Sequence, residues 1–172
     1  MARFPGEDLD TLQRTAWIRF AGVAAGIPAE LNSRLVAEHA LTQFEYLVFN
    51  HLNLADGRVM PMSGLATLLA CSLSRLSHVV AKLERDGLVV RSRSADDGRV
   101  QLVTLTDAGL STFHRAAPAY FAAVGELFFD RLDRDDLADL DRIMTKLIPG
   151  IDATGVLAPL AARLGRSLPP RP

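Results

Sequence analysis

A predicted helix between residues 72 and 86 carries short polar and cationic side chains on one face. They are Ser72, Ser74, Arg75, Ser77, His78 and Lys82. The opposite face is apolar at the three- and four-residue spacing of a helix, with Leu73, Leu76, Val80 and Leu83. Hydroxyl, imidazole and guanidinium groups can hydrogen-bond to base edges in the DNA major groove, and cations can neutralise phosphates. The pattern predicts a helix that buries one face and presents the other to DNA.

The distribution of charge along the chain favours the same interpretation. Residues 57–83 contain no Asp or Glu, and residues 72–99 contain six Lys or Arg against four Asp or Glu. Residues 126–141 contain only two Lys or Arg against seven acidic residues. Because the net charge of the chain is −1, contact with DNA must come from a local basic surface and not from bulk charge.

Capping signals predict the helices around this segment. Thr42 and Glu45 form a capping box at the start of an amphipathic helix. Ser63 is predicted to cap a short helix, and Ser72 is predicted to cap the helix described above. Gly87 follows that helix at the position where a glycine commonly ends one.

The hydrophobic period changes from 3.6 to 2 after Gly87. Residues 88–93 and 99–105 are rich in Val, Leu and Thr, and the polar cluster 94–98 lies between them. This arrangement predicts a β-hairpin with a polar tip.

Long helices are predicted on both sides of this central region. Residues 9–40 have helical spacing, with an interruption expected at Pro28. Thr106 and Asp107 cap a helix that extends to about residue 131, with a kink expected at Pro118. A last helix opens at Asp133 and Asp136. Beyond it the chain becomes rich in Pro and Gly, with a short helix possible over 155–165 and a loose end.

Composition bounds the class of protein. A chain of 172 residues with 49% hydrophobic and 23% charged residues suits one globular domain with extensions. A single cysteine excludes a disulfide scaffold and a four-cysteine zinc site. The acidic N-terminal segment does not resemble a signal peptide, and no apolar run is long enough for a membrane span. We expect a cytoplasmic protein with no membrane partner.

Catalytic and metal-binding patterns are absent from the sequence. It contains no Gly-rich phosphate loop, no nucleophile elbow and no His-Glu-x-x-His run. The four histidines show no spacing typical of metal ligands with a Cys, Asp or Glu cluster. We therefore expect neither an enzyme, nor a metal site, nor a cofactor.

Five motifs in this order resemble the MarR family of bacterial transcriptional regulators. They are Leu65-Ala66, the segment Ser72 to Glu84, the segment Gly87 to Arg91, Asp96-Asp97-Gly98-Arg99, and Leu105-Thr106-Asp107-Ala108-Gly109. The resemblance covers roughly residues 9–148 and is strongest over 62–109. It implies a mainly helical fold with a small β-hairpin wing, that is, a winged helix-turn-helix joined to a helical dimerisation region.

The resemblance also implies a division of the chain and a set of partners. Four parts follow: an N-terminal dimerisation helix (9–41, kinked near Pro28), a winged helix-turn-helix lobe (42–106), C-terminal dimerisation helices (107–148), and a partly flexible extension (149–172). Members of the family are homodimers that bind a near-palindromic operator in double-stranded DNA. Many are repressors that release DNA when a small, often aromatic, ligand binds.

Roles for individual residues follow from the same resemblance. Ser72, Ser74, Arg75, Ser77, His78 and Lys82 match the family's DNA-recognition helix. Asp97 and Arg99 match the wing pair, in which the aspartate holds an arginine guanidinium that enters the minor groove. Arg91 and Arg93, on the first wing strand, are expected to contact the DNA backbone.

Two further sets of residues have open interpretations. A ligand pocket could be lined by Trp17, Phe20, Phe44, Tyr46, Phe113 and His114, and the alternative for these residues is ordinary core packing. Cys71 is either a small buried apolar side chain, which is favoured, or a redox switch that would need a thiol partner from elsewhere.

A protein–protein interaction module that has lost DNA binding is the rival function. The same winged fold would serve it, and its surface helix would need only solubility. The absence of acidic residues over 57–83 argues for DNA binding instead.

Overall fold

The computed structural model describes residues 9–151 and shows a mainly helical chain with one small antiparallel sheet, as predicted. In chain order the elements are α1 (Thr11–His39), α2 (Gln43–Leu54), β1 (Val59–Pro61), α3 (Met62–Leu68), α4 (Leu73–Arg85), β2 (Val89–Arg93), β3 (Gln101–Leu105), α5 (Asp107–Leu127) and α6 (Arg134–Ile151). Short 3₁₀ turns lie at Asp56–Arg58 and Phe129–Arg131. The helix predicted over 155–165 and most of the extension lie outside the described residues.

Side-chain caps lie at the starts of α1, α2, α4 and α5. The Thr42 hydroxyl oxygen accepts a hydrogen bond from the Glu45 N–H at 3.2 Å, and a Glu45 carboxylate oxygen accepts one from the Thr42 N–H at 2.8 Å. The predicted capping box of α2 is therefore confirmed. The Ser72 hydroxyl accepts from the Arg75 N–H at 3.2 Å, and Thr106 caps α5 in the same way. These bonds satisfy backbone donors that a helix N-terminus leaves free.

The predicted cap at Ser63 is wrong. α3 begins at Met62, two residues earlier than a cap at Ser63 implies, and its N-cap is Pro61, which makes no side-chain capping bond. Met62 is buried, so the core holds the first turn in place without a polar cap. Ser63 lies in that first turn, and its hydroxyl remains available for other contacts.

The helices continue through their prolines. α1 contains Pro28 and runs without a break from Thr11 to His39, so the helix does not restart there. α5 contains Pro118, and α6 contains Pro149 and reaches residue 151, beyond the predicted end at 148. A proline removes one backbone donor, whereas the turns on either side keep their own hydrogen bonds.

The sheet has three strands, one more than the sequence predicts. Its order is β1-β3-β2, and both pairs are antiparallel. Val103 lies at the centre, opposite Met60 on one side and Arg91 on the other. β1 was missed because it is only three residues long and ends in proline, so it shows no alternating pattern.

The core lies between α2, α3, α4, α5 and the sheet. Its fully buried side chains include Val48, Phe49, Leu52, Leu65, Leu76, Val80 and Val103. Leu76, Val80 and Leu83 confirm the predicted inner face of α4. This packing fixes the rotation of α4 about its axis, and it therefore determines which side chains face outward.

The first turn of α5 packs directly on the chain between α4 and β2. The Thr106 hydroxyl lies within hydrogen-bonding distance of the carbonyl oxygens of Gly87 and Leu88, at 2.9 and 3.0 Å. A Cβ atom on Gly109 would lie 2.1 Å from the Leu88 carbonyl oxygen. Only glycine fits at this position, which explains physically why the motif leaving the hairpin needs Gly109.

Several large apolar side chains on the outer helices remain exposed. We call this the apolar outer surface; on α1 it comprises Leu12, Trp17, Ile18, Phe20 and Val23, and on α6 it comprises Ile143, Leu147 and Ile151. In α1 only Leu31 and Leu35 are buried, and α6 has no buried residue. The C-terminal half of α1 is attached to α5 by Arg34, whose guanidinium donates to both Glu126 carboxylate oxygens at 2.7 and 3.1 Å.

Candidate nucleic-acid interface

The outward face of α4 is polar over its first two turns. Ser72, Ser74, Arg75 and His78 are exposed, and Ser77 is half-buried. These five side chains lie on one side of the helix because Leu76 and Val80 anchor the other side in the core. The structure thus brings most of the predicted recognition residues together.

Leu73 does not lie on the inner face of α4, as the sequence predicts. Its side chain is 54% exposed, and it is the first residue of the helix. The core begins at Leu76, one turn later, so a side chain at position 73 lies beyond its edge. Leu73 belongs to the outward surface of the helix.

A cleft of about 340 Å³ separates α4 from the chain that leads into β3. It is lined by Met62, Ser63, Leu73, Ser77, Arg99, Val100 and Gln101. Ser77 of the helix and Arg99 of the hairpin therefore share one concave surface. Ser63 and Gln101 add polar groups that sequence reasoning missed, since the sequence pattern assigns Ser63 to capping and Gln101 to a strand.

Arg75 is held by an aromatic ring. Its guanidinium carbon lies 4.6 Å from the centroid of the Phe44 ring, at the start of α2. A cation at this distance is attracted by the negative face of the ring. Within residues 9–151, its guanidinium makes no salt bridge with a carboxylate.

Lys82 is half exposed, but its ammonium is bound to α2. Its ammonium donates to one carboxylate oxygen of Glu45, a residue only 3% exposed. The other Glu45 oxygen accepts from the N–H and the hydroxyl of Thr42, both at 2.8 Å. Burial raises the pKa of Glu45, but the bonds from Lys82 and Thr42 outweigh it and leave the pKa below its usual value. In this structure the ammonium of Lys82, a predicted DNA contact, is engaged in an ion pair with Glu45.

Arg91 is also engaged within the lobe. Its guanidinium donates to Glu84 on α4, from Nε at 2.8 Å and also from Nη2, and its backbone N–H donates to the other oxygen of the same carboxylate. This hydrogen bonding lowers the pKa of Glu84. Arg91 thus links α4 to β2, whereas Arg93 at the end of the same strand is exposed.

Asp97 and Arg99 interact differently from the predicted pair. Asp97 Oδ1 accepts a hydrogen bond from the Arg99 backbone N–H at 2.9 Å, and not from its guanidinium. The Ser94 N–H donates to the Val100 carbonyl at 2.9 Å and closes the base of the same loop. Asp97 therefore shapes the loop, and the exposed Arg99 side chain extends from it.

The six residues predicted to line a ligand pocket are not brought into one cavity. Trp17 and Phe20 lie on the apolar outer surface, with ring centroids 6.1 Å apart, and Phe44 is occupied by Arg75. Tyr46 and Phe113 are buried in the core 5.2 Å apart, whereas His114 beside them is exposed. For Tyr46 and Phe113, burial favours the alternative interpretation, ordinary core packing.

Tyr46 is the centre of an aromatic cluster that includes a residue missed by sequence reasoning. Tyr120 of α5 stacks on the Tyr46 ring at 4.2 Å between centroids. The Tyr46 hydroxyl is buried and has no hydrogen-bond partner in the described part of the chain. A crevice between α1 and α5, lined by Leu31, Leu35 and Tyr120 among others, has no room for a water molecule.

Cys71 lies half-buried against the core, between α3 and α4. Burial raises the pKa of its thiol, although the nearby Arg75 acts in the opposite direction. A raised pKa leaves little of the reactive thiolate. The structure therefore supports the interpretation of Cys71 as a small apolar side chain.

Residues 9–151 contain neither a cluster of metal-ligating side chains nor a single helix that could span a membrane. No group of three or more His, Cys, Asp or Glu side chains in this range could hold a metal ion. No single helix there is long and apolar enough to cross a membrane; α3 and α4 reach the required length and composition only as a pair, bent by 109°.

Known proteins share both the sequence pattern and the fold of this chain. The family model named MarR matches residues 41–100. AbsC, a MarR family transcriptional regulator from Streptomyces coelicolor, is 31% identical to this chain in sequence. The two structures match with a TM-score of 0.80, and the match covers 87% of this chain and 98% of AbsC. Sco3205 from the same organism, also a MarR family transcriptional regulator, was solved in complex with DNA; it is 28% identical, with a TM-score of 0.81 over 90% of this chain and 94% of Sco3205.

A more distant structure shows the same fold. CouR from Rhodococcus jostii RHA1, solved with p-coumaroyl-CoA bound, is 24% identical, with a TM-score of 0.67 over 81% of this chain and 95% of CouR. No curated protein sequence matches the chain.

Proposed function

The chain belongs to the MarR family of transcriptional regulators, and on this premise we propose that it is a homodimeric repressor that binds a near-palindromic operator. The observation that carries the proposal is the concave surface on which Ser77 of α4 and Arg99 of the hairpin meet. A DNA-binding winged helix needs its recognition helix and its hairpin on the same side of the protein. The helix enters one groove of the DNA, and the hairpin follows the backbone to the adjacent groove. We propose no catalytic role for this chain.

We assign the major groove to α4. The groove of B-DNA is about 12 Å wide and admits one helix. The first two turns of α4 present Ser72, Ser74, Arg75 and His78 and contain no acidic residue. Phosphates and base edges would therefore face hydrogen-bond donors, with no carboxylate to repel the phosphates. Ser63 and Ser77 lie next to this surface in the cleft and would extend it. Lys82 is left out of this surface because it is bound to Glu45.

We assign the adjacent minor groove to Arg99. Its side chain is exposed at the base of the loop that Asp97 shapes, and in the described chain it is paired with no carboxylate. A narrow minor groove is strongly negative and attracts an arginine side chain. Arg93, exposed at the end of β2, is the nearest candidate for a phosphate contact, whereas Arg91 supports the wing from within.

The apolar outer surface supports dimerisation. Exposed side chains such as Leu12, Trp17 and Ile18 form a surface that a second copy would cover. We propose that residues 9–41 and 107–148 form the interface and that residues 42–106 form the DNA-binding lobe. Two lobes related by a two-fold axis would reach half-sites about 10–10.5 bp apart, or a multiple of that spacing.

Release by a small aromatic ligand completes the proposal. Its support is the family resemblance, together with CouR, a protein of the same fold solved with p-coumaroyl-CoA bound. In this chain the aromatic cluster of Tyr46, Phe113 and Tyr120 lies where α2 meets α5, and it offers a ring surface with one unpaired hydroxyl. Because the crevice beside it is closed, ligand entry requires α1 and α5 to separate.

Arg75→Ala tests the DNA-binding assignment. If Arg75 contacts a guanine edge, the variant should lose about 1–3 kcal/mol of affinity for the operator and much less for random DNA. Titration of both DNAs with wild-type protein, Arg75→Ala and Arg115→Ala, a control on α5, measures the two losses. Equal losses of affinity for both DNAs would indicate that Arg75 contacts a phosphate and not a base edge. Failure of the wild-type protein to bind any DNA would instead favour a protein–protein interaction module.

A further inference from the structure

Two consecutive residues of α2 bind two of the three Lys and Arg side chains of α4. Phe44 lies under Arg75, and Glu45 pairs with Lys82, seven residues further along the same helix. The first turn of α2 therefore contacts the outward side of α4 at two points, two helical turns apart. The chemistry at the two points is different, and the difference determines which cation can reach DNA.

At the first point an aromatic ring binds the cation without using its hydrogen-bond donors. Phe44 is partly buried and packs against the core, so its ring has a fixed position. The Arg75 guanidinium lies 4.6 Å from the ring centroid and pairs with no carboxylate of the described chain. A guanidinium carries five N–H donors, and attraction to a ring face leaves them free for a bidentate contact.

At the second point a carboxylate binds the ammonium directly. Lys82 donates to Glu45, whose side chain is almost fully buried and also caps α2. Because this pair holds α4 against α2, Lys82 is committed to the internal structure. An acidic residue under Arg75 would commit that cation in the same way, whereas phenylalanine does not.

We propose that Phe44 is a positioning residue for base recognition: its ring holds the Arg75 guanidinium on the DNA side of α4 with its donors unoccupied. Phe44 itself does not touch DNA. The inference rests on the proposed function, since it requires Arg75 to contact bases. Ordering a long side chain in advance removes part of the entropy lost on binding, so loss of the ring should weaken operator binding by about 2- to 10-fold.

A double-mutant cycle tests this role. Phe44→Leu, Arg75→Ala and the double variant are titrated against operator DNA and against random DNA of equal length. Phe44→Tyr keeps the ring, and Leu54→Ala removes a half-exposed apolar side chain at the other end of α2, outside the proposed dimer interface. Thermal unfolding of each variant reports changes in stability separately from changes in binding.

The expected result is a loss that depends on Arg75. Phe44→Leu should lower operator affinity about 2- to 10-fold with unchanged affinity for random DNA, and it should have no further effect in the Arg75→Ala background. Phe44→Tyr and Leu54→Ala should behave as wild type. If Phe44→Leu fails to fold, Phe44→Met and its Arg75→Ala double variant take its place in the cycle.

Three outcomes would overturn the inference. They are independent, additive effects of the Phe44 and Arg75 substitutions; an equal loss by Phe44→Leu on operator and random DNA; and unchanged operator binding by Phe44→Leu. In each case Arg75→Ala still reports on the proposed function, because it alone shows whether base recognition occurs.

Discussion

The winged lobe and the outer helices differ in how completely one chain buries their apolar side chains. In the lobe, with the adjoining parts of α1 and α5, residues such as Phe49, Leu65 and Val80 are fully buried. In the N-terminal half of α1, Trp17 is 63% exposed, and α6 has no buried residue.

This difference indicates two sources of stability. The lobe carries its own core, so its shape and the outward face of α4 are fixed within one chain. The apolar outer surface leaves large side chains in water, which is unfavourable unless another surface covers them. Substitutions in the lobe should therefore change unfolding, whereas substitutions on the outer helices should change association.

The largest effect is expected for Gly109→Ala. The added Cβ would lie 2.1 Å from the Leu88 carbonyl oxygen, a backbone atom that cannot rotate away. We expect a loss of about 3 kcal/mol or more in the free energy of unfolding, measured by urea titration. Gly98→Ala is the matched control, because a Cβ atom at that residue would meet no other atom within 4 Å. Equal stability of the two variants would contradict the close packing of α5 on the lobe.

The next largest effect is expected for Lys82→Met. Removal of the ammonium leaves the buried Glu45 carboxylate with only Thr42 as a partner. We expect a loss of about 1–3 kcal/mol at neutral pH, below the cost for a fully buried pair because Lys82 is half exposed. Lys146→Met, at an exposed position on α6, is the control and should cost little.

The pH dependence of this loss identifies Glu45 as its origin. Because the pKa of Glu45 is lowered on folding, its charge stabilises the folded state above the ordinary carboxyl pKa of 4.5. That contribution disappears as the pH falls through the lower pKa of the folded state. The stability difference between wild type and Lys82→Met should therefore shrink as the pH falls from neutral through 4.5 and below. A difference that stays constant over this range would exclude the ion pair as the cause.

A smaller effect, on association alone, is expected for Trp17→Ser. An exposed tryptophan on a surface that a second copy covers should contribute more than about 1 kcal/mol to association. Sedimentation velocity over a dilution series should show the variant dissociating at higher concentration than wild type. Val90→Ser removes a similarly exposed apolar side chain from the lobe and should leave association unchanged. A wild-type chain that is monomeric at every concentration would remove the contrast between the two regions.

Local patterns in the sequence predicted most of the lobe. The caps at Thr42, Ser72 and Thr106 act over three residues, and the apolar face of α4 recurs within one helix. Such signals are visible along the chain. The strand β1 was missed because its only partner is β3, more than forty residues later, and its own three residues carry no pattern.

The candidate site was predicted less completely because its details depend on contacts across the fold. The sequence pattern places Lys82 and Arg75 together on an outward face. It could not show that Lys82 pairs with Glu45 and that Arg75 lies over the ring of Phe44. Likewise, the family resemblance implied a side-chain pair between Asp97 and Arg99, whereas the loop geometry brings the carboxylate to the Arg99 backbone N–H. Side-chain partners of this kind follow from packing and not from spacing alone.

Selection of bound sequences from random DNA by the full chain tests the central claim most directly. If the outward face of α4 contacts bases in a dimer, the enriched sequences should contain two inverted half-sites separated by about one helical turn, 10–10.5 bp, or a multiple of it. Enrichment of a single half-site without a dyad would contradict the dimeric arrangement. No enrichment over the starting pool would contradict base recognition by α4.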